Sequence, residues 1–241
     1  MPVGQNSSIG RGRCQTCAIR HQAVCGALKD DELTRLNQIA RHRNFAPGQI
    51  VMSDDDRAEF FANVVSGVVK LAKTMPDGRQ QIVGLLFAPD FVGRAYSENN
   101  PYFAEAATAV ELCCFPRDSF ESLLREFPGL EHRLFERTLN ELDSAREWMV
   151  LLGRKTAQEK VASFLLLLAD HIGKPSPDNP AHSEFMLPLK RADIADFLGL
   201  TLETVSRQMT KLRKMGAIDI RKNLEVTVQD TDRLITISGG D

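Results

Sequence analysis

No stretch of this sequence stays apolar for the roughly 18 residues that a membrane span requires, so no membrane partner is expected. The opening "MPVGQNSSIGRGR" also lacks an apolar core and does not read as a secretory signal. The expected location is therefore cytoplasmic, where thiols stay reduced. Five cysteines then make a poor disulfide framework, and clustered ones indicate metal binding or redox chemistry instead. Charge of one sign is lacking too. A net charge of −2 over 241 residues gives no global mark of nucleic-acid binding, so any basic footprint must be local. Repeats and low-complexity segments are absent, and 43% hydrophobic with 26% charged residues is a globular composition at a length that favours two domains.

What is present falls into blocks. Residues 1–13 are rich in Gly, Ser and Asn and read as disordered. "RCQTCAIRHQAVC" (13–25) then holds three of the five cysteines, on a stretch with little else to fold around. From Asp30 to Arg41, Leu33, Leu36 and Ile39 give a short amphipathic helix with acidic residues at its start. From Arg43 to Pro116 the runs "QIVM", "FFANVVSGVVKLAKT", "QQIVGLLF" and "AVELCCF" alternate with the turn signals "APG", "SDDD", "MPDG", "APD" and "ENNP". Short strands at such intervals predict a compact all-β barrel or sandwich.

Helical signals follow. "DSFESLLREF" reads as a short helix, and a long one is expected after Pro128, through "LEHRLFERTLNELDSAREWMVLLG". Within it Phe135, Thr138, Leu142, Ala145, Met149 and Leu152 alternate in steps of three and four, a heptad seam that can lie against the β domain or, as better suits a long helix joining two domains, pair with a second copy. Thr156 and Glu159 form a capping box for the next helix, whose apolar face is Val161, Phe164, Leu165 and Leu168. "GKPSPDNPAHSE" reads as a loop.

The most specific signal is "LKRADIADFLGLTLETVSRQMTKLRKMGAI". A short helix from Arg191 to Phe197 meets a tight turn at Gly199, and a second helix starts behind a Thr201 cap. This is a helix-turn-helix, whose second helix enters the DNA major groove. Val205, Met209 and Leu212 form its buried stripe, and Glu203, Ser206 and Arg207 share the opposite face. An arginine there can bond guanine O6 and N7 bidentately, and a glutamate can accept from cytosine N4. Thr201, Arg191 and Lys211 are further candidate DNA contacts. Between Met186 and Lys222 eight basic residues stand against four acidic ones, a local charge of +4. "AIDIRKNLEVTV" reads as a hairpin turning at Lys222-Asn223, the wing of a winged helix.

Taken together, these elements resemble the Crp/Fnr superfamily of bacterial transcription regulators. "LGLTLETVSRQMTKLRKMG" matches its helix-turn-helix, and Glu203-x-x-Ser206-Arg207 is the form of the Fnr branch, over a resemblance that runs from about Cys14 to Val228. The implied fold is α+β: an N-terminal β-roll of the cyclic-nucleotide-binding jelly-roll type, a long dimerisation helix and a C-terminal winged helix-turn-helix. The implied divisions are an arm over 1–29, a β-roll sensor over 30–117, a dimerisation helix region over 118–153 and a DNA-binding domain over 154–241. The implied function is transcription regulation without enzymatic activity. A homodimer would read a palindrome of the TTGAT…ATCAA type in double-stranded DNA through Glu203, Ser206 and Arg207. RNA polymerase is the implied further partner, with the β-roll hairpin around Gln80 to Asp90 as its candidate surface.

The sensor region departs from the cyclic-nucleotide branch. In "FVGRAYSENNPYFAEAATAVE", Arg94 follows Gly93 in place of glutamate, and "YFAEAA" stands where an Arg-Ser pair would hold a phosphate. Haem is disfavoured as well, since no histidine occurs between Asn44 and Pro116. Cys14-x-x-Cys17 with Cys25 supplies three thiolates, and spacing alone does not separate a zinc site or redox-active thiols from an iron–sulfur cluster. The fourth ligand has to come from Cys113 or Cys114. Strand alternation puts Val110, Leu112 and Cys114 on the all-apolar face and Glu111, Cys113 and Phe115 on the other, so Cys113 faces outward. His21 reads as a plain surface residue.

The Fnr branch places its fourth cluster cysteine three residues before a proline, as Cys113 stands before Pro116. The resemblance thus implies a [4Fe–4S] cluster on Cys14, Cys17, Cys25 and Cys113. The C-x2-C-x7-C spacing is two residues longer in its second gap than in enteric Fnr proteins, and is similar to an α-proteobacterial version. The implied behaviour is a dimer that oxygen weakens by converting the cluster to [2Fe–2S].

Overall fold

The computed structural model describes residues 14–54, 57 and 59–240. The stretch 1–13, read from sequence as disordered, and part of the "SDDD" turn lie outside the described residues. The chain divides into two compact units, one up to Asp143 and one from Ser144.

The first unit begins with the cysteine segment, which ends in a 3-10 turn at Val24–Ala27. Helix α1 (Asp30–Ile39) follows, its first turn carrying Asp30, Asp31 and Glu32 against the helix dipole. Eight strands come next: β1 (Arg41–Phe45), β2 (Ile50–Met52), β3 (Phe60–Ser66), β4 (Val69–Thr74), β5 (Gln80–Leu86), β6 (Phe91–Val92), β7 (Phe103–Ala106) and β8 (Val110–Pro116). They form two antiparallel sheets, in the orders β1-β8-β3-β6 and β2-β7-β4-β5. Strand alternation gives the first sheet two different faces. Ala62, Val64, Leu112 and Cys114 join Val51, Val69, Ala104 and Ala106 in the barrel interior. Phe61, Cys113 and Phe115 belong to a second core on the outer face. That second core is covered by α1, by α2 (Arg117–Glu126) and by the start of α3 (Pro128–Arg154), through Leu33, Leu36, Phe120, Leu124 and Leu130.

The cysteine segment is not the unsupported arm that its sequence suggested. Ile19, Ala23, Val24 and Leu28 are all buried in the outer-face core, so apolar packing orders this stretch in addition to whatever its thiols bind. Strand β1 is a second departure. The helix from Asp30 stops at Ile39, and Arg41 opens a strand instead of closing the helix. "RHRNF" carries no apolar alternation, and among the described residues it is an edge strand paired with β8. The region from Gln80 to Asp90 is not itself a hairpin. It is β5 plus a turn in which the Phe87 amide donates to Asp90 Oδ2 at 2.9 Å, and the hairpin turn lies earlier, between β4 and β5.

In the second unit α4 (Ala157–Ile172) starts behind Thr156, which accepts from the Glu159 amide in the expected capping box. β9 (Lys174–Pro175) and β10 (Ser183–Met186) occupy part of what read as a loop. Two residues of strand are too few to show a period of two. α5 (Arg191–Leu198) and α6 (Leu202–Lys214) are joined at Gly199, whose φ of +61° is the left-handed turn that glycine adopts without a Cβ penalty. β11 (Ile218–Arg221) and β12 (Glu225–Val228) form a hairpin in which Arg221 pairs with Glu225, Lys222 and Asn223 take positive φ, and the Leu224 amide closes the turn on the Arg221 carbonyl. α7 (Thr231–Ile237), which had no clear sequence signal, packs beside α4. Among the described residues no helix is long and apolar enough to cross a membrane.

Candidate metal centre and nucleic-acid interface

Cys14, Cys17, Cys25 and Cys113 line one narrow cavity, together with Ile19, Leu36, His42, Asn63 and Phe115. Cys114 is not among them; it is buried in the barrel interior. Residues 99 positions apart in sequence meet because β8 turns its outer face towards the cysteine segment. Among the described residues no three His, Cys, Asp or Glu side chains are drawn into the geometry of a single-ion site. Three of these thiols are costly to ionise here. Burial pushes Cys25 up to about 12, with Cys17 and Cys14 adding repulsion. Burial and the neighbouring sulfurs raise Cys113 still further, and burial chiefly raises Cys14. Burial thus favours the neutral thiols of Cys14, Cys25 and Cys113, and a metal that takes them as thiolates displaces their protons.

Two polar residues of this cavity carried no sequence signal. His42 on β1 has its Nδ1 2.7 Å from Glu111 Oε1, and Asn63 on β3 is buried at 1% exposure. Only strand register, which a single sequence does not reveal, brings either of them beside Cys113. His21, as read, is exposed. The cysteine segment also touches the long helix: the Arg137 guanidinium of α3 donates to the Gln22 carbonyl, and Leu130 and Leu134 pack against the same core.

On α3 the residues of the heptad seam are open. Phe135, Leu142 and Met149, seven residues apart, are 57, 44 and 69% exposed, with Thr138 and Ala145 exposed between them and Leu152 half-buried. Leu139 and Val150, which the seam did not include, are exposed as well. The far end of the helix is anchored in the second unit by Trp148, stacked on Phe197 with centroids 4.4 Å apart.

In α6 Val205, Met209 and Leu212 are buried, while Glu203 and Arg207 are exposed and Ser206 is half-buried. The Glu203 carboxyl is held below the usual carboxylate range by hydrogen bonds from its own amide and from Thr201, so it is an acceptor at neutral pH. The other three candidates carry internal bonds. Thr201 caps α6 through the Thr204 amide, Lys211 donates to Gln158 Oε1 at 2.6 Å, and Arg191 donates to the Asn223 carbonyl at the wing turn. Ser206 and Arg191 line a crevice between α6 and the wing, with Met209, Arg213 and Ile220.

Both halves of the chain match known families. Residues 42–127 match the cyclic nucleotide-binding domain and residues 159–237 the Crp-like helix-turn-helix domain. The chain is 50% identical over 221 residues to the "Probable transcriptional activator" of Rhizobium leguminosarum bv. viciae, covering 92% of this chain and 91% of that one. It is 46% identical over 231 residues to the transcriptional activator protein FnrL of Cereibacter sphaeroides, covering 95% and 93%. The solved structure of FixK2 from Bradyrhizobium japonicum superposes with a TM-score of 0.76 at 30% identity, over 84% of this chain and 99% of that one.

Proposed function

The chain belongs to the Crp/Fnr family of transcription regulators, as a DNA-binding protein and not an enzyme, and from that premise we propose that it is an oxygen-responsive activator whose cofactor is a [4Fe–4S] cluster. The observation that carries this reading is the convergence of Cys14, Cys17, Cys25 and Cys113 on one cavity, with Cys114 turned away. Four thiols in an otherwise mainly apolar lining fit the ligand set of such a cluster. When bound, the cluster supplies an oxygen-labile cross-link between three thiolates of the cysteine segment and one of β8.

The remaining steps belong to the chain. Arg137 holds the Gln22 carbonyl two residues from Phe135 and one from Thr138, so a change in the cysteine segment reaches the seam through one side chain. The open apolar stripe of α3 pairs with the same stripe of a second copy. Two winged helices, linked by that dimer, then read the two halves of a TTGAT…ATCAA palindrome, with Arg207 on guanine, Glu203 on cytosine and Ser206 beside them. Losing the linkage costs on the order of 10²–10⁴ in affinity. We further propose that RNA polymerase is recruited through the surface from Gln80 to Asp90, and that the protein works in the cytoplasm, where its DNA is.

The test is anaerobic purification, followed by admission of air while the visible band and binding to a TTGAT…ATCAA duplex are recorded together. Four irons and four sulfides per chain, with colour and DNA affinity falling in step, support the reading. A colourless protein that binds equally well in air refutes the oxygen response and leaves a same-fold regulator with a zinc or thiol site.

A further inference from the structure

Three residues lie side by side across the outer face of the β1-β8-β3 sheet. His42 pairs with Cys113, and Cys113 pairs with Asn63, so the fourth cysteine has a polar residue on each flank. All three line the cysteine cavity. Directly paired residues of antiparallel strands have Cβ atoms about 4.5–5.5 Å apart, within reach of one another's side chains.

The two flanks differ. His42 is provided for inside the protein, by Glu111. Asn63 is not: it is 1% exposed, its Oδ1 has no hydrogen-bond partner, and Phe61, Phe115, Leu36 and Ile19 make up the core around it. An unmet amide in such a place destabilises the fold, and a leucine of similar size would avoid that cost. The amide can present either its oxygen or its NH2 to the cavity, and the hydrogen bonds available decide which. Thiolate and sulfide sulfurs only accept, so they select the NH2 end.

We propose that Asn63 is a positioning residue for the iron–sulfur cluster, donating its amide N–H to the Cys113 thiolate or to the sulfide next to it, and thereby setting how long the cluster survives. This rests on the cluster reading above. Hydrogen bonds to the sulfurs are among the features through which a protein tunes such a centre.

The experiment compares wild type, Asn63→Leu and Asn63→Thr after anaerobic reconstitution with iron and sulfide. It reads iron per chain, the half-time of the visible band in air-saturated buffer, and the urea midpoint of each metal-free protein. Asn63→Leu should lose its band roughly tenfold faster than wild type, while its metal-free form resists urea at least as well. Asn63→Thr, which keeps one O–H donor, should fall between the two. A purely structural role cannot give opposite signs in the loaded and metal-free forms. An Asn63→Leu half-time equal to wild type overturns the inference and leaves the cluster standing, as does a threonine variant no better than leucine. A metal-free Asn63→Leu chain that does not fold also overturns it, because the amide would then be satisfied within the protein. Wild-type chains that take up no iron overturn the cluster reading itself, and the inference with it.

Discussion

Replacing Cys113 and Cys114 by alanine, one at a time, should separate the two faces of β8. The residues are adjacent and both buried, at 7 and 2% exposure, yet they belong to different cores. In Cys114→Ala one sulfur leaves a closed interior formed by Val64, Leu112, Ala62 and Met52. Transfer and cavity terms together come to about 1–2 kcal/mol. For a unit ending at Asp143 that corresponds to a melting temperature lower by roughly 3–8 °C in the metal-free protein, with iron content unchanged. Cys113 already borders a cavity, so its sulfur has fewer packing partners to lose, and metal-free Cys113→Ala should melt within about 1 kcal/mol of wild type. Its iron, however, should fall to a small fraction of one cluster per chain. The assay is anaerobic iron and sulfide analysis beside calorimetry of the metal-free proteins. If Cys114→Ala loses the iron while Cys113→Ala retains it, the register argument is wrong. Equal iron loss in both variants would refute the claim that the two faces are energetically separate.

Four further outcomes are expected. Arg207→Ala should weaken binding to the palindrome by about 1–3 kcal/mol, roughly 5- to 150-fold, and should weaken a duplex lacking the contacted guanine far less; equal losses on both duplexes, in a fluorescence titration, count against a base contact. Ala145→Asp would place like charges opposite each other in the proposed pairing of two α3 seams. It should raise the monomer fraction of the metal-free protein in sedimentation, and equal fractions for variant and wild type refute this. Arg137→Ala removes the donor to the Gln22 carbonyl and should weaken the loaded dimer about fivefold at unchanged iron content; an unaltered dimer constant breaks the proposed link to the seam. Glu159 is held below the usual carboxylate range by its hydrogen bonds to Thr156. Its cap contribution is therefore complete above the unfolded carboxylate value and is lost as pH falls through the folded one. Glu159→Gln keeps the acceptor but not the titration, so it should flatten the acid limb of the melting curve below about pH 5; an identical limb overturns the assignment.

Much of this was legible in the sequence because the relevant signals are local. Thr156 with Glu159, Gly199, the Val205-Met209-Leu212 stripe and Lys222-Asn223 each fix a cap, a turn or a face within one or two helical turns, and each lies in the structure where its spacing put it. The alternation of β8 was readable for the same reason, since the period of two assigns Cys113 and Cys114 to opposite faces without any knowledge of the partner strands. What stayed hidden depends on register. His42 and Asn63 lie 71 and 50 residues from Cys113, and nothing in "RHRNF" or "FFANVVS" shows that these two positions flank a thiol. Arg137, on an exposed helix, looks like any solvated charge until Gln22 is found beside it.

The buried anchors of the cysteine segment change what a switch at this site has to do. If the segment were held by thiolates alone, losing a cluster would release all of it. Ile19, Ala23, Val24 and Leu28 are buried in the outer-face core without reference to any metal. At about 25 cal/mol per Å² of apolar surface, a few such side chains contribute several kcal/mol, enough to keep the stretches on either side of residues 20–22 in place. The part left to move is the short, more exposed loop from Arg20 to Gln22, between the anchors Ile19 and Ala23. Arg20, paired with Asp30 at 2.8 Å, and Gln22, the acceptor for Arg137, both lie inside that loop. A change in the loop's shape therefore arrives at α1 through Arg20 and at the dimer seam through Arg137, while the core beneath stays packed. A switch of this kind acts by redirecting two side chains, not by unfolding an arm. It predicts that metal-free protein retains the hydrogen-exchange protection of α1 and of Ala23, and loses it at Arg20 and Gln22, whose amides bond the Cys17 and Ile19 carbonyls. Loss of protection across the whole stretch from Cys14 to Leu28 would show that the apolar anchors are too weak to act as described.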